Sequence, residues 1–351
     1  MEQQEHIERR AWSLISAHTY VRSNYADGRW GILEQVAGSV LGLPLESSAL
    51  NNGQIVAEDI FAFPHCDGRI AVFRPLEHLL CLQKSCDQLC LPSPTDDVFL
   101  NALTEVVKSN LDCNSFWEVG RVLRVRAMVI AVDCTCELAA SSEAVLILSV
   151  SSMALYHQNG MGTMRALVIE DIDRAAPRGL GSVGGPFNKP AMIKPELCAR
   201  SAGYGTVLYL DSKTHSYVEQ FSAGVFLGVK DIEYNDANEV VSCTLVFPNE
   251  GNVVPSVMAH SICTLASKSF DWIIEKREVP FMELKTLQEI GIARDDAVVI
   301  PIVSLTRDDE ETTIPAEGEY VGNIMAIIYK AISDIQFGRA PDTYNWLHFI
   351  F

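Results

Sequence analysis

The chain has 351 residues and carries 27 Lys+Arg against 45 Asp+Glu, a formal net charge of −18. An anionic surface of that size repels phosphate backbones and anionic lipid, so nucleic acid and membrane surfaces are excluded as first partners. Charged residues make up only 21% and hydrophobic residues 48%, a balance that supports a large packed core, and the length suits two domains.

In chain order, residues 58–73 read as a hairpin with Asp67-Gly68 as its turn. Pro75 to Leu91 reads as a helix, with Leu79, Leu82, Cys86 and Leu89 recurring at spacings of three and four. A second helix starts at Pro94-Thr-Asp-Asp and places Phe99, Leu100, Leu103, Val106 and Val107 on its apolar side. Strands are expected over Arg121–Asp133 and Ala144–Ser149. The polar stretch Tyr156 to Thr163 is the linker candidate, dividing a small N-terminal domain (1–154) from a large C-terminal one (165–351). Beyond it come a strand Arg165–Ile172, a Gly-rich loop Gly179–Gly185 and a helix up to Arg200. Strands Thr206–Leu210, Val225–Val229 and Val241–Phe247 follow, then a helix His260–Glu275, a strand Asp296–Ser304 and a last helix Tyr320–Ile335. The acidic run Asp308 to Glu311 reads as a solvated loop. The pattern is a mixed α/β, or α+β, two-domain chain rather than a strict βαβ alternation.

The ten cysteines form no framework: Cys81, Cys86 and Cys90 are unevenly spaced in one helix, and Cys134 and Cys136 flank one residue. No Cys/His spacing suits zinc, His65-Cys66 is an isolated pair, and no metal is expected. The start, MEQQEHIERRAW, has no apolar run, and no stretch reaches membrane-spanning length. A reduced, cytoplasmic protein is the expectation. Gly179-Leu-Gly-Ser-Val-Gly184 matches GxGxxG by letter, but it follows Arg174-Ala-Ala-Pro-Arg178 rather than a strand, so a tight Gly-rich loop is the better reading. There is no GxSxG elbow and no P-loop. Residue chemistry alone names no reaction.

One set of segments goes further. Phe73-Arg-Pro-Leu-Glu-His78, Arg174-Ala-Ala-Pro-Arg-Gly-Leu-Gly181, Val207-Leu-Tyr-Leu-Asp211, Tyr217-Val-Glu219 and Asp334-Ile-Gln-Phe-Gly338, in this order and spacing, resemble the branched-chain aminotransferases. The resemblance runs from about Asn24 onward. It implies the fold-type-IV, D-amino-acid-aminotransferase-like architecture of pyridoxal-phosphate enzymes and a homodimer.

The departures from the family pattern set the functional expectation. The Schiff-base lysine that precedes the family's Gly-Gly-Asn-Tyr falls on Gly184 in GSVGGPFNKP, where Asn188 fits the asparagine. The phosphate-binding arginine, three residues after His78, is Cys81. The Ser-Gly-Thr phosphate turn falls on Ile300-Pro301-Ile302, and the amide-donating Pro-Gly-x-Thr-Arg turn falls on Pro255-Ser-Val-Met-Ala259. Glu219 matches the acid that pairs with the pyridinium nitrogen. On the substrate side, Tyr-Ile-Arg reads Arg124-Val125-Arg126, His-Tyr-Gly reads Asn51-Asn52-Gly53, Phe-Glu-Gly reads Ala57-Glu58-Asp59, and Tyr156 is a retained pocket tyrosine.

The resulting expectation is an enzyme without cofactor, using a vacated cavity lined by Asn52, Ala57, Cys81, Gly184, Met258 and Ile302. A small organic substrate would there undergo cyclisation, isomerisation or elimination, in a natural-product setting. Glu219, Tyr156, Arg124, Arg126 and Lys189 are the candidate catalytic groups. For Arg124 the alternative is a surface strand residue, and for Lys189 and Lys194 solvent-facing lysines at a helix start. Two competing expectations stand beside this one. The first is a pyridoxal-phosphate-dependent transaminase with its lysine relocated to Lys189. The second is a non-catalytic binding or regulatory paralogue.

Overall fold

The computed structural model describes residues 15–111, 120–135, 137–157, 161–314 and 322–350. The N-terminal stretch, Cys136, the centre of the linker candidate and Tyr320 lie outside these residues. The chain divides into two compact units, one from Met1–Gln158, Val183–Phe187 and Ile335–Phe351, the other from Asn159–Ser182 and Asn188–Asp334.

The first unit is built on an antiparallel eight-stranded sheet. Its strands are β1 (Ile15–Ala26), β2 (Arg29–Trp30), β3 (Glu34–Ala37), β4 (Ile55–Pro64), β5 (Ile70–Phe73), β6 (Arg121–Ala131), β7 (Ala144–Ala154) and the chain-terminal Leu347–Phe349 beside β5. Helices α1 (Ser48–Asn51), α2 (Pro75–Gln88) and α3 (Asp96–Lys108) complete it. The expected hairpin is β4–β5. Helix α2 begins with Pro75, whose fixed φ suits the first turn, and buries Leu79, Leu82 and Cys86. Helix α3 is capped by Thr95, whose hydroxyl accepts the Val98 N–H at 3.4 Å, with Asp96 and Asp97 in the positive first turn. Both helices share one core cluster with Val56, Ile60, Val125, Ala127, Leu148 and Val150, all from one face of the sheet.

Because side chains alternate along strands, the other face carries Ile55, Ala57, Asp59 and Phe61 on β4, Arg124, Arg126, Met128 and Ile130 on β6, and Val145, Ile147, Ser149 and Ser151 on β7. One end of this face is apolar, where Tyr20, Ile130, Val145 and Ile147 form a second cluster with Ile55 and Met128 against it. The other end is polar and half-buried.

The second unit holds a nine-stranded mixed sheet of β8 (Met164–Ile169), β9 (Thr206–Leu210), β10 (Val218–Phe221), β11 (Val225–Tyr234), β12 (Val240–Pro248), β13 (Ile273–Arg277), β14 (Glu289–Arg294), β15 (Val298–Arg307) and β16 (Glu310–Thr313). Strand β8 runs parallel to β9 and β15, and β12 parallel to β13. Helix α4 (Pro190–Ser201) packs Ala199 against Val207 and Tyr209 of β9. Helix α5 spans Val257–Ser269, not the expected His260–Glu275. Ser256 caps it by accepting the Ala259 N–H at 3.1 Å, and Asp271, at φ 55°, reverses the chain so that Ile273 and Ile274 enter β13 instead.

Helix α6 (Asn323–Gln336) starts on a buried carboxylate. Glu289 of β14, 6% exposed, accepts the N–H groups of Ile324 and Met325, each at 3.0 Å. The preceding Gly322 is obligatory, since a Cβ there would lie 2.0 Å from Glu289 Cδ. Burial pushes the Glu289 carboxyl up, against the pull of these amides. No helix among the described residues is long and apolar enough to cross a membrane.

Replacing Glu289 by alanine should leave buried amides without acceptors and cost about 2 kcal/mol in urea unfolding. A Glu289→Gln protein keeps one acceptor. Because the folded carboxyl sits above its ordinary 4.5, its ionisation opposes folding, so wild type should lose stability relative to Glu289→Gln as pH rises from about 4.5 to 7. A pH-independent difference between the two would contradict the assignment.

Candidate active site

In the first unit the polar end of the sheet centres on Asp59. Arg124 and Arg126 lie two residues apart on β6 and therefore on one face, and Asp59 stands directly opposite Arg126 on β4. Arg124 pairs with Asp59 at 2.8 Å and Arg126 at 3.0 Å, with the three side chains 20%, 23% and 32% exposed. Ser149 and Ser151 of β7 continue the two rows. On the opposite, core-facing side, Glu58 is hydrogen-bonded to buried His78 Nδ1 at 2.7 Å, and burial pushes the Glu58 carboxyl up.

The segment Val183–Phe187 is stitched to the edge of this sheet. The Gly184 N–H donates to Ser85 Oγ at 3.0 Å, Gly184 O accepts the Ala57 N–H at 2.9 Å, and Ser85 donates in turn to the Cys81 carbonyl at 3.0 Å. A Cβ at Gly184 would sit 3.2 Å from Ala57 O, so the position is close-packed. Ala57, Cys81 and Gly184 are thus brought together. Tyr156 packs edge-on against His157 at 5.0 Å. Asn52 is exposed and donates to Ser48 Oγ at 3.1 Å.

In the second unit Glu219 lies in a buried ion pair. Arg174, from the Arg-Ala-Ala-Pro-Arg segment, approaches it at 3.3 Å, and the two side chains are only 3% and 8% exposed. The Asn252 side chain donates to the second carboxylate oxygen at 2.6 Å, while Arg174 also donates to the Gly181 and Asn252 carbonyls. Burial raises the Glu219 carboxyl and lowers the Arg174 guanidinium, each opposed by the attraction between them. Lys189 is the exposed residue before the first turn of α4. Met258 is buried in the first turn of α5, and its N–H donates to Asp295 Oδ1 at 3.1 Å.

Ile300 to Ile302 lie inside β15, with Ile302 opposite Ile290, so the phosphate-turn reading lands on a strand. The turn between β14 and β15 is Asp295 to Ala297, and it brings Asp295 to the α5 N-terminus. The Arg294 fork on Asp296, at 2.7 and 2.6 Å, fastens this turn, and Val298 takes a positive φ of 61° just beyond it, an unusual geometry for a β-branched residue. Asp59, His78, Arg174, Asn252 and Asp295 were not among the expected site residues. Among the described residues no group of three or more His, Cys, Asp or Glu could hold a metal ion.

Comparison with known proteins gives the setting of these clusters. No protein-family model matches the chain. Transaminase htyB of Aspergillus rugulosus is 34% identical over 344 residues, covering 95% of this chain and 88% of that protein. This chain belongs to the branched-chain aminotransferase family. A branched-chain-amino-acid aminotransferase of Helicobacter pylori is 29% identical over 326 residues, covering 93% of this chain and 92% of that protein. Among solved structures, the Escherichia coli branched-chain amino acid aminotransferase superposes with a TM-score of 0.77 at 19% identity, over 95% of this chain and 100% of that one. The Thermobaculum terrenum enzyme in its PLP form gives 0.75 at 17% identity, over 96% and 99%. The fold-type-IV architecture expected from the sequence is the observed one.

Two expectations are corrected by these findings. Relatives named transaminase and aminotransferase point to a transferase, not to an isomerase, cyclase or lyase that leaves transamination behind. The expected absence of a cofactor is overturned by family structures in a PLP form and with pyridoxamine 5'-phosphate.

The residues of this chain match that cofactor only in part. Glu219 can face a ring nitrogen only by sharing oxygens already bonded to Arg174 and Asn252. At the aldehyde end, none of residues 181–185, Gly-Ser-Val-Gly-Gly, is a lysine, and among the described residues no lysine is buried. In the first unit Cys81, where the resemblance expects a guanidinium, carries no charge, and in the second unit the Asp295 carboxylate already holds the Met258 amide. The aldehyde and phosphate ends do not fit the group as the family pattern holds it.

The Arg174–Glu219 pair gives a direct test. Arg174→Met or Glu219→Leu alone should cost about 3 kcal/mol by stranding a buried charge, and the double variant should cost clearly less than their sum. Additive losses in chemical denaturation would mean that the two groups do not hold each other.

Proposed function

We propose that the protein is an aminotransferase that moves an amino group between an aliphatic amino acid and a 2-oxo acid, in secondary-metabolite biosynthesis, with pyridoxal phosphate as the cofactor of its class. The observation that carries this reading is the 34% identity to a fungal transaminase across 95% of the chain. Further relatives named aminotransferase or transaminase, from Penicillium oxalicum, Emericella nidulans and Alternaria alternata, support the setting.

The cofactor of this class supplies the electron sink for amino transfer. The chain's own contribution is binding and orientation. Arg124 and Arg126 offer a guanidinium pair for a carboxylate, and the apolar end of the same sheet face suits an aliphatic tail. Glu219, locked by Arg174 and Asn252, presents a fixed negative charge in the second unit. With no buried lysine among the described residues and an occupied α5 terminus, the cofactor is held weakly and exchanges freely.

The test is amino transfer from L-leucine or L-valine to a 2-oxo acid by protein freed of small molecules by gel filtration. Transfer is expected only when pyridoxal phosphate is added, and it should disappear after a second gel filtration. No transfer at any cofactor concentration would overturn the aminotransferase reading. Full activity without added cofactor would overturn the weak hold.

A further inference from the structure

We propose that Tyr209 and Gln220 share one buried water, and that this water closes a bulge in β10 that aims Glu219 at Arg174. Tyr209 and Gln220 are then positioning residues that act through Glu219. The proposal rests on the aminotransferase reading only for the use made of Glu219.

The register of β10 on β9 contains the bulge. The Asp211 N–H donates to the Tyr217 carbonyl at 2.8 Å, and the Ser222 N–H to the Val207 carbonyl at 2.8 Å. Between these two bonds Leu210 stands opposite Val218, Tyr209 opposite Gln220 and Leu208 opposite Phe221. Strand β10 therefore carries one residue more than β9 over this stretch, and the residue left without an opposite is Glu219. Such an extra residue bends its strand and re-aims its side chain. Among the described residues β10 is the edge of its sheet, so no strand on its far side holds the bulge in place. Glu219 is nevertheless closely held, by Arg174 at 3.3 Å and by Asn252 at 2.6 Å. A slip of one residue into a plain ladder would turn side chains to the opposite face and break both contacts.

Two polar atoms beside the bulge call for a partner. Tyr209 is fully buried, and among the described residues neither its Oη nor Gln220 Oε1 has a hydrogen-bond partner, although both atoms are buried. Each is costly if left dry. Burial pushes the Tyr209 hydroxyl up, and Glu196 adds to the push, so the hydroxyl keeps its proton and can donate. Gln220 Oε1 can only accept. Of the charged groups that face Tyr209, Glu196 is already bonded to Ser222 and Arg200, and Arg174 to Glu219; Asp171 adds only a further upward push. The bridging group must accept from Tyr209, donate to Gln220 and carry no charge among these buried atoms. A water meets all three conditions, and internal waters occupy such sites between otherwise unsatisfied groups. Tying Gln220 to Tyr209 fixes the strand one residue beyond Glu219, on the side where the ladder resumes.

The experiment is a high-resolution crystal structure of the full chain as wild type, Tyr209→Phe and Gln220→Met, paired with a carbon-13 NMR titration of the glutamate carboxyls. Wild type should show one ordered water about 2.8 Å from both Tyr209 Oη and Gln220 Oε1, and either substitution should remove it. Burial holds the Glu219 carboxyl above its ordinary 4.5, against the pull of Arg174 and Asn252, with Asp173 adding a small upward push. A relaxed bulge lets solvent reach Glu219, so its titration midpoint should fall towards 4.5 in both variants, which a merely space-filling Tyr209 would not cause. No water in wild type, a water that persists in both variants, or a Glu219 midpoint that neither variant moves would each overturn the proposal. The wild-type structure decides the water even if a variant fails to fold. Neither measurement reads turnover, so a protein that shows both effects and transfers no amino group would sink only the aminotransferase reading.

Discussion

The architecture depends on carboxylates that fill the chain's own cationic and amide-rich positions. Glu289 sits on the N-terminus of α6, Asp295 on that of α5, Glu219 on buried Arg174, and Asp59 between Arg124 and Arg126. An unpaired helix terminus or guanidinium in a protein interior is costly, and each of these is also an anion site in principle. In a chain with a net charge of −18 the available anion is an internal one. Two of these acids come from β14 and the turn after it, so one short stretch, Glu289 to Asp295, fastens the starts of two helices.

This accounts for the way the chain departs from its family. The fold is kept, because the packed faces of α2, α3, α4 and α5 and both sheets depend on apolar patterning that tolerates wide sequence change. Within the first unit Cys81 carries no charge, and within the second Met258 is apolar and its amide is engaged by Asp295. The family relation supports an aminotransferase, and these residues are the ground on which a weak hold on its cofactor is proposed.

The hairpin of β4 and β5, helices α2 and α3 and strand β9 were legible in the sequence because each has its own periodicity, turn or cap. Helix α5 was misframed because Ile273 and Ile274 carry the apolar pattern past Asp271 into β13, while Ser256 starts the helix before His260. Strand β14 went unseen: Glu289 to Ala293 is buried throughout, with no alternation to mark it. Without β14, the phosphate turn was laid on Ile300 to Ile302. Asp295 acts 37 residues from Met258, and Asp59 acts through sheet register. Such pairings have no local signature, so residue letters alone could mark Arg124 and Arg126 but not the acid between them.

The most direct measurement of the central claim, that an internal carboxylate occupies the position a cofactor phosphate needs, is a titration of wild type and Asp295→Ser with inorganic phosphate and with pyridoxal phosphate. It is followed by thermal shift and by cofactor absorbance. Removing the acid should free the Met258 amide and raise the affinity for both about tenfold or more, while unphosphorylated pyridoxal shows no gain. Tight phosphate binding by wild type that is unchanged or weakened in Asp295→Ser would contradict the account.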